Sequence, residues 1–189
     1  MDRYWFLTWT TYGVWLPGDR RGFVGQLRDA NGLPYIDNLP GTPCDADMPA
    51  LERAMRAAMT GPPIQLILEQ AEAVLPQFRE TVTYRGWLLV ATAIMANHLH
   101  LVVGVPGDPD PEKLLHDFKS YASRTLNRGW GKPVNGTWWT GGGSKRKLPN
   151  EEAVRHAVQY VRDQEFPLVV WVNEEFMSRF GERGQSWPR

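Results

Sequence analysis

The stretch Met95-Ala96-Asn97-His98-Leu99-His100-Leu101-Val102-Val103 places two histidines, separated by one leucine, inside an apolar run. Side chains alternate between the two faces of a β-strand, so the spacing predicts that His98 and His100 project from the same side of one strand. Two imidazoles on a rigid strand supply half of a site for a divalent metal. Packing or hydrogen bonding in a core also explains an isolated pair, so a metal site requires complementary residues elsewhere.

Length and composition predict one folded domain over residues 1–189, with an insertion at about 12–60 and a C-terminal tail at about 174–189. Of the 189 residues, 42% are hydrophobic and 12% aromatic, which excludes wholesale disorder. The single cysteine, Cys44, excludes an intrachain disulfide framework and favours a reducing compartment. No apolar run reaches the roughly 20 residues of a membrane span. We therefore expect a soluble cytoplasmic protein without membrane contacts.

Hydrophobic patterns on both sides of the histidines predict alternating strands and helices. Tyr12 to Pro49 is rich in Gly, Pro, Asp and Asn without regular periodicity, so we expect a long loop there. The predicted strands cover Tyr4–Thr11, Gly86–Ala96, His98–Val105 and Leu168–Val172, and the predicted helices lie between Leu51 and Met59, over about Ile64–Glu80, after the Asp110-Pro111 cap and after the Asn150 cap.

The charge of the chain is balanced in total but uneven in distribution. Lysine plus arginine and aspartate plus glutamate each number 21, so no global basic field indicates nucleic acid. Cations nevertheless concentrate downstream of the histidines, and we predict a local anion-binding stripe from Lys119, Arg124, Arg128, Lys145, Arg146 and Lys147.

The predicted helix after Asn150 carries the complementary chemistry. Val154, Ala157, Val158 and Val161 form its apolar stripe at helical spacing. His156, Tyr160 and Gln164 follow one another at intervals of four residues, so they share one edge of the helix beside that stripe. This border position is where a helix docked on a sheet presents polar side chains to a partly dry site.

Together these residues resemble the single-tyrosine HUH transposases of small bacterial insertion sequences, and especially the REP-associated tyrosine transposases. Asn97-His98-Leu99-His100 and Tyr160-Val161-Arg162-Asp163-Gln164 carry the resemblance. It extends over about Tyr4–Glu165, including Thr10-Thr11-Tyr12-Gly13, Gly86-Trp87-Leu88-Leu89, Lys119 and Ser123.

The resemblance implies a fold, a reaction and a ligand set. The fold would be α+β, a ferredoxin- or RRM-like antiparallel sheet flanked by helices, with the N-terminal loop and helix region as an insertion. His98, His100 and Gln164 would bind Mg²⁺ or Mn²⁺, and no nucleotide cofactor would be needed. Tyr160 would attack single-stranded DNA bearing a hairpin, giving a 5′-phosphotyrosine intermediate that another strand end can rejoin. A homodimer that shares its active site between subunits is one arrangement in this family.

The residue types are chemically suited to that reaction. An unperturbed phenol has a pKa near 10, so Tyr160 needs activation or positioning to attack at neutral pH. Two imidazoles and an amide add no negative charge, which leaves the full field of the cation on a DNA phosphate. His156, one turn from Tyr160, is a candidate auxiliary residue for proton transfer or phosphate contact.

A structural protein with core histidines remains open from sequence, as do two other functions on DNA. A replication-initiator or relaxase-like nickase shares the paired histidines, although the usual third histidine ligand is absent. A domesticated protein that binds REP-type hairpins without mobilising DNA has the same motifs, and sequence alone does not separate it from an active transposase.

Overall fold

The computed structural model describes residues 1–21, 25–28, 31, 34–38 and 48–182. In chain order the elements are β1 Arg3–Thr10, β2 Gly25–Arg28, β3 Pro34–Asn38, α1 Pro49–Ala57, α2 Leu68–Arg85, β4 Leu88–Ile94, β5 His98–Val105, α3 Pro111–Trp130, β6 Ser144–Leu148, α4 Glu151–Arg162, β7 Val169–Val172 and α5 Glu174–Glu182.

A five-stranded antiparallel sheet organises the molecule, in the order β6-β1-β5-β4-β7. The histidine strand β5 lies at its centre, with β1 on one side and β4 on the other. Hydrophobic side chains cover both faces of β5, which explains its nearly unbroken apolar sequence. The predicted α+β class, an antiparallel sheet flanked by helices, is confirmed.

Helices cover both faces of the sheet and create two cores. On one face, α2 and α3 pack on strand residues that include Leu7, Trp9 and Leu101. On the other, the valine stripe of α4 packs with Tyr4, Val102 and neighbours. His98 and His100 belong to this second face, because Val102 follows them at a spacing of two along the strand. The sheet therefore presents the histidines to the helix that carries Tyr160.

The helix caps follow the sequence predictions. Asp110 accepts a hydrogen bond from the backbone of Glu112, with Pro111 at the first helical position. Asn150 accepts one from Ala153 at 2.8 Å, which fixes where the tyrosine helix begins.

The structure corrects three of the predicted segments. The insertion is not an unbroken loop, because β2 and β3 pair as a separate two-stranded antiparallel sheet. Helix α2 begins at Leu68 instead of about Ile64, since the Ile64 and Leu66 amides donate to Tyr12 and Ala96 carbonyls in extended backbone. It ends at Arg85 instead of about Glu80, and Gly86, whose φ is 67°, forms its C-terminal cap.

The third correction concerns the predicted tail from residue 174. Its first part is the helix α5, and Phe176 and Met177 pack against the core beside α4. Residues 183–189 lie outside the described part. No helix among the described residues combines the length and apolar character needed to cross a membrane.

Candidate active site

The two histidines stand next to each other on β5 as their spacing predicts. Their ring centroids are 4.7 Å apart, with the ring planes at 81°. His100 is 4% exposed, and His98 is partly buried. Backbone pairing of His98 with Thr10 and of His100 with Thr8 holds both residues in the middle of the sheet. The pair is therefore placed by strand geometry and not by a mobile loop.

Each histidine is oriented by a partner at its Nδ1 atom. His98 Nδ1 lies 2.7 Å from Asn97 Oδ1, an acceptor, so the ring donates its proton there. His100 Nδ1 lies 2.8 Å from Thr8 Oγ1. With both Nδ1 atoms engaged, each Nε2 atom is left to bind a metal, as outer partners of metal-bound histidines commonly arrange.

Helix α4 brings the predicted nucleophile to the histidines within one chain. The Tyr160 ring lies edge-on to His100, with 5.2 Å between ring centroids. Phe6 on β1 stacks on His100 at 5.4 Å and meets Tyr160 edge-on at 5.8 Å. Tyr160 is nevertheless 51% exposed, so one side of the phenol is buried against the site and the other is open to a substrate.

The sequence predicts Gln164 on the tyrosine helix, but α4 ends at Arg162, so Gln164 lies just beyond the helix, beside both histidines. Its Nε2 donates to the Tyr160 carbonyl at 2.9 Å, which leaves the side-chain oxygen to interact with the two rings. Gln164 is close enough to raise the pKa of both rings, against the larger effect of burial. His100 Nε2 is buried yet makes no hydrogen bond of normal geometry to any described residue.

Burial keeps the two imidazoles neutral. It lowers the pKa of His98, helped by the positive charge of Arg21. Burial and the adjacent His98 lower the pKa of His100 to about 3. Neutral imidazole is the form that binds metals. No cluster of three His, Cys, Asp or Glu side chains occurs in the described ranges, so an amide would supply the third ligand. Two neutral imidazoles, one of them with a buried Nε2 atom that lacks a partner, and an amide oxygen fit a divalent cation.

The predicted DNA-binding cations occupy different environments. Lys119 donates from Nζ to the carbonyls of Thr140 and Gly142, and burial with the nearby Lys145 cation lowers its pKa to about 8. Lys145 pairs with Glu112, and Lys147 pairs with Asp108 at 2.6 Å. Three remain without an ion pair to any described carboxylate: Arg124, Arg128 and Arg146.

His156 lies one turn before Tyr160 and is largely exposed. Its Nε2 is 4.0 Å from Glu152 Oε1, and both side chains are 75% exposed. No ring contact joins it to Tyr160 or to the histidine pair among the contacts of the described residues. An auxiliary role for His156 stays a prediction.

Comparison with known proteins identifies the family. The model described as "Transposase IS200 like" matches residues 66–164, more than half of the chain. The chain belongs to the IS200-like transposase family. The matched residues contain the histidine strand, helix α3, the whole tyrosine helix and Gln164 after it. The predicted resemblance to this transposase family is therefore confirmed. No curated protein matches the sequence significantly.

Two solved structures are similar in fold. One is a REP-associated tyrosine transposase bound to a REP hairpin, with a TM-score of 0.47 and 15% identity over 84% of this chain. This chain spans 64% of the length of that protein. The other, from Deinococcus radiodurans R1, is described as a transposase candidate, with a TM-score of 0.45 and 17% identity over 88% of this chain and 94% of its own.

Sequence analysis missed the residues that support the site from β1 and the following loop. Thr8 and Phe6 are two residues apart on β1 and lie on the sheet face that holds His100. Strand alternation predicts that they share a face, but neither residue belongs to a motif that indicates a role in the site. Arg21 acts on the pKa of His98 from the loop after β1, and its guanidinium lies 4.7 Å from the Trp15 ring centroid. No local pattern predicts that proximity.

Proposed function

We propose that this chain is a metal-dependent transposase that cleaves and rejoins single-stranded DNA next to a hairpin through a 5′-phosphotyrosine intermediate. The observation that carries the proposal is the meeting of Tyr160 and Gln164 with the histidine pair in one chain, with 5.2 Å between the Tyr160 and His100 ring centroids. Membership of the IS200-like transposase family supports the same reaction.

His98, His100 and Gln164 would hold Mg²⁺ or Mn²⁺. Such a cation, when bound, polarises the phosphodiester and stabilises negative charge on its oxygens. The chain itself orients the ligands through Thr8 and Asn97, and keeps the imidazoles neutral by burial. The proposed reaction needs no nucleotide cofactor.

Tyr160 would form the covalent bond to DNA. Its phenolic oxygen attacks the phosphorus, the bond from phosphorus to the 3′-oxygen breaks, and the departing 3′-oxygen takes up a proton while the phenol loses one. The phosphotyrosine keeps a phosphodiester-type bond, so a 3′-hydroxyl can attack it in reverse and join two strands. We propose that Tyr160 acts on the site of its own chain, and that Arg124, Arg128 and Arg146 contribute phosphate contacts.

A covalent-capture experiment tests the reaction. The probe is a pool of single-stranded oligonucleotides in which a hairpin stem is flanked by randomised arms, incubated with the protein and Mn²⁺. Wild-type protein should retain DNA through denaturation and phenol extraction, and sequencing the retained ends should reveal one cleavage position. Tyr160→Phe removes only the nucleophilic hydroxyl and should retain no DNA.

Further variants separate metal binding from covalent attachment. His98→Ala should lose the adduct and also bind Mn²⁺ more weakly by calorimetry, whereas Tyr160→Phe should bind Mn²⁺ like the wild type. Retention of DNA by Tyr160→Phe at the wild-type level would contradict the nucleophile assignment. Adduct formation in the presence of a strong chelator would contradict the metal dependence.

A further inference from the structure

Three consecutive cations on the edge strand β6 differ in their surroundings. Lys145 and Lys147 are paired in register with Leu7 and Trp5, which belong to the face covered by α2 and α3. Lys145 forms an ion pair with Glu112, and Lys147 forms one with Asp108. The charges of both lysines are therefore already offset by carboxylates.

Arg146 lies on the opposite face, which is the face of the candidate active site. It is paired in register with Phe6, and its guanidinium carbon lies 5.5 Å from the Phe6 ring centroid. Phe6 in turn contacts both His100 and Tyr160 through its ring. A cation over an aromatic face is attracted by the ring quadrupole, so Phe6 holds the guanidinium at the rim of the site.

Other arginines near the site are neutralised. Asp19 binds Arg21 through both carboxylate oxygens, and the pKa of Asp19 falls to about 2 mainly because of that hydrogen bonding. Arg162 on the tyrosine helix is bound by Glu174. Arg146, by contrast, forms no ion pair with a carboxylate of the described residues and is exposed to solvent.

We infer that Arg146 is a catalytic residue that binds the scissile phosphate, an inference that rests on the proposed function. Guanidinium presents paired N–H donors that match two oxygens of a phosphate. As Tyr160 bonds to phosphorus and the 3′-oxygen departs, charge grows on the non-bridging oxygens, which Arg146 contacts without giving up a proton. Its contribution is thus larger in the transition state than in the bound substrate.

Single-turnover kinetics with the captured oligonucleotide and Mn²⁺ test this role. Arg146→Ala should slow adduct formation at saturating DNA by about 100-fold or more, the loss typical of one oxyanion donor. Its affinity for the oligonucleotide, measured by fluorescence anisotropy in the presence of a chelator, should change by less than about threefold. Arg146→Lys keeps the positive charge but lacks the paired N–H donors of guanidinium, so its rate of adduct formation should lie between those of Arg146→Ala and the wild type.

Arg79→Ala is the matched control, because it removes an arginine that also lies over an aromatic ring, 4.7 Å from the Trp171 ring centroid, but on helix α2, which covers the other face of the sheet. It should keep the wild-type rate. A rate of adduct formation by Arg146→Ala within threefold of the wild-type rate would overturn the inference. So would a slower rate that returns to the wild-type value at saturating DNA. Thermal unfolding of each variant checks that it is folded. If Arg146→Ala is unfolded, the rate of Arg146→Lys decides the question instead. Absence of an adduct in the wild type would instead defeat the proposed function, on which this inference depends.

Discussion

At the scale of single residues, burial keeps the histidine pair neutral, which is the form that the proposed metal binding requires. His100 is 4% exposed and has a pKa of about 3, well below its ordinary 6.5. Thr8 holds its Nδ1 atom, and its Nε2 atom is one of the buried polar atoms that have no hydrogen bond of normal geometry to the described residues. An unsatisfied buried group destabilises a protein, and a bound cation would remove that cost.

The shifted pKa of His100 predicts how stability changes with pH in metal-free protein. Between pH 6.5 and about 3 the unfolded chain binds a proton that the folded chain does not. The contribution of the neutral ring is therefore complete above pH 6.5 and is lost as the pH falls. Urea unfolding in a chelator should show the free energy of unfolding decreasing by up to about 1.4 kcal/mol per pH unit from this residue.

The same measurement on variants isolates the residue. His100→Gln should reduce the slope between pH 6.5 and 5, while His156→Gln, which removes a side chain that is 75% exposed, should keep the wild-type slope. Equal slopes in His100→Gln and wild type would refute the assignment of the pH dependence to His100.

At the scale of elements, the glycine turn before β6 sets the edge of the sheet beside the site. Gly143 has a φ of 153°, and a Cβ there would lie 2.8 Å from the Thr8 carbonyl and 2.9 Å from a Leu115 methyl. Lys119 stabilises the same turn by donating hydrogen bonds from Nζ to the Thr140 and Gly142 carbonyls. The turn thus lets β6 approach Thr8, the residue that orients His100.

Gly143→Ala should destabilise the protein by about 2 kcal/mol, because the new methyl group meets backbone and the φ angle is strained. Gly141→Ala is the control, since a Cβ at that position meets nothing within 4 Å. Urea unfolding should give a Gly141→Ala value within about 0.5 kcal/mol of wild type. Similar stabilities for the two variants would show that the close approach at Gly143 does not matter.

At the scale of the whole molecule, one sheet joins segments that are distant in sequence into a single site. β5 carries the histidine pair, β1 orients and shields it, β6 brings Arg146 to its rim, and α4 carries Tyr160. All of these belong to one chain. A homodimer remains a prediction from the family resemblance, and catalysis within one chain remains our proposal, supported by the contact of Tyr160 with His100 in a single chain.

Mixing two inactive variants tests whether the site works within one chain. Tyr160→Phe lacks the nucleophile and His98→Ala lacks a metal ligand, so a mixture can form adduct only if one subunit supplies Tyr160 to the histidines of another. We expect no adduct above the level of the separate variants after co-refolding. Restored adduct formation would contradict catalysis within the chain and would favour the shared-site dimer.

The sequence by itself determined the local chemistry of this protein. Strand alternation placed His98 and His100 on one face, helical periodicity placed Tyr160 beside the apolar stripe of its helix, and capping residues located the starts of α3 and α4. These relations depend on repeats of two and of 3.6 residues, which a short stretch already encodes. The family resemblance followed from the same motifs.

Only the tertiary structure decided which of these pieces meet. The approach of Tyr160 to His100, the role of Thr8, and the different surroundings of Lys145, Arg146 and Lys147 depend on strand order and on the face that each helix covers. Such contacts join residues that are tens of positions apart in the sequence. They depend on how the two cores pack, which the periodicity of a short stretch of sequence does not predict.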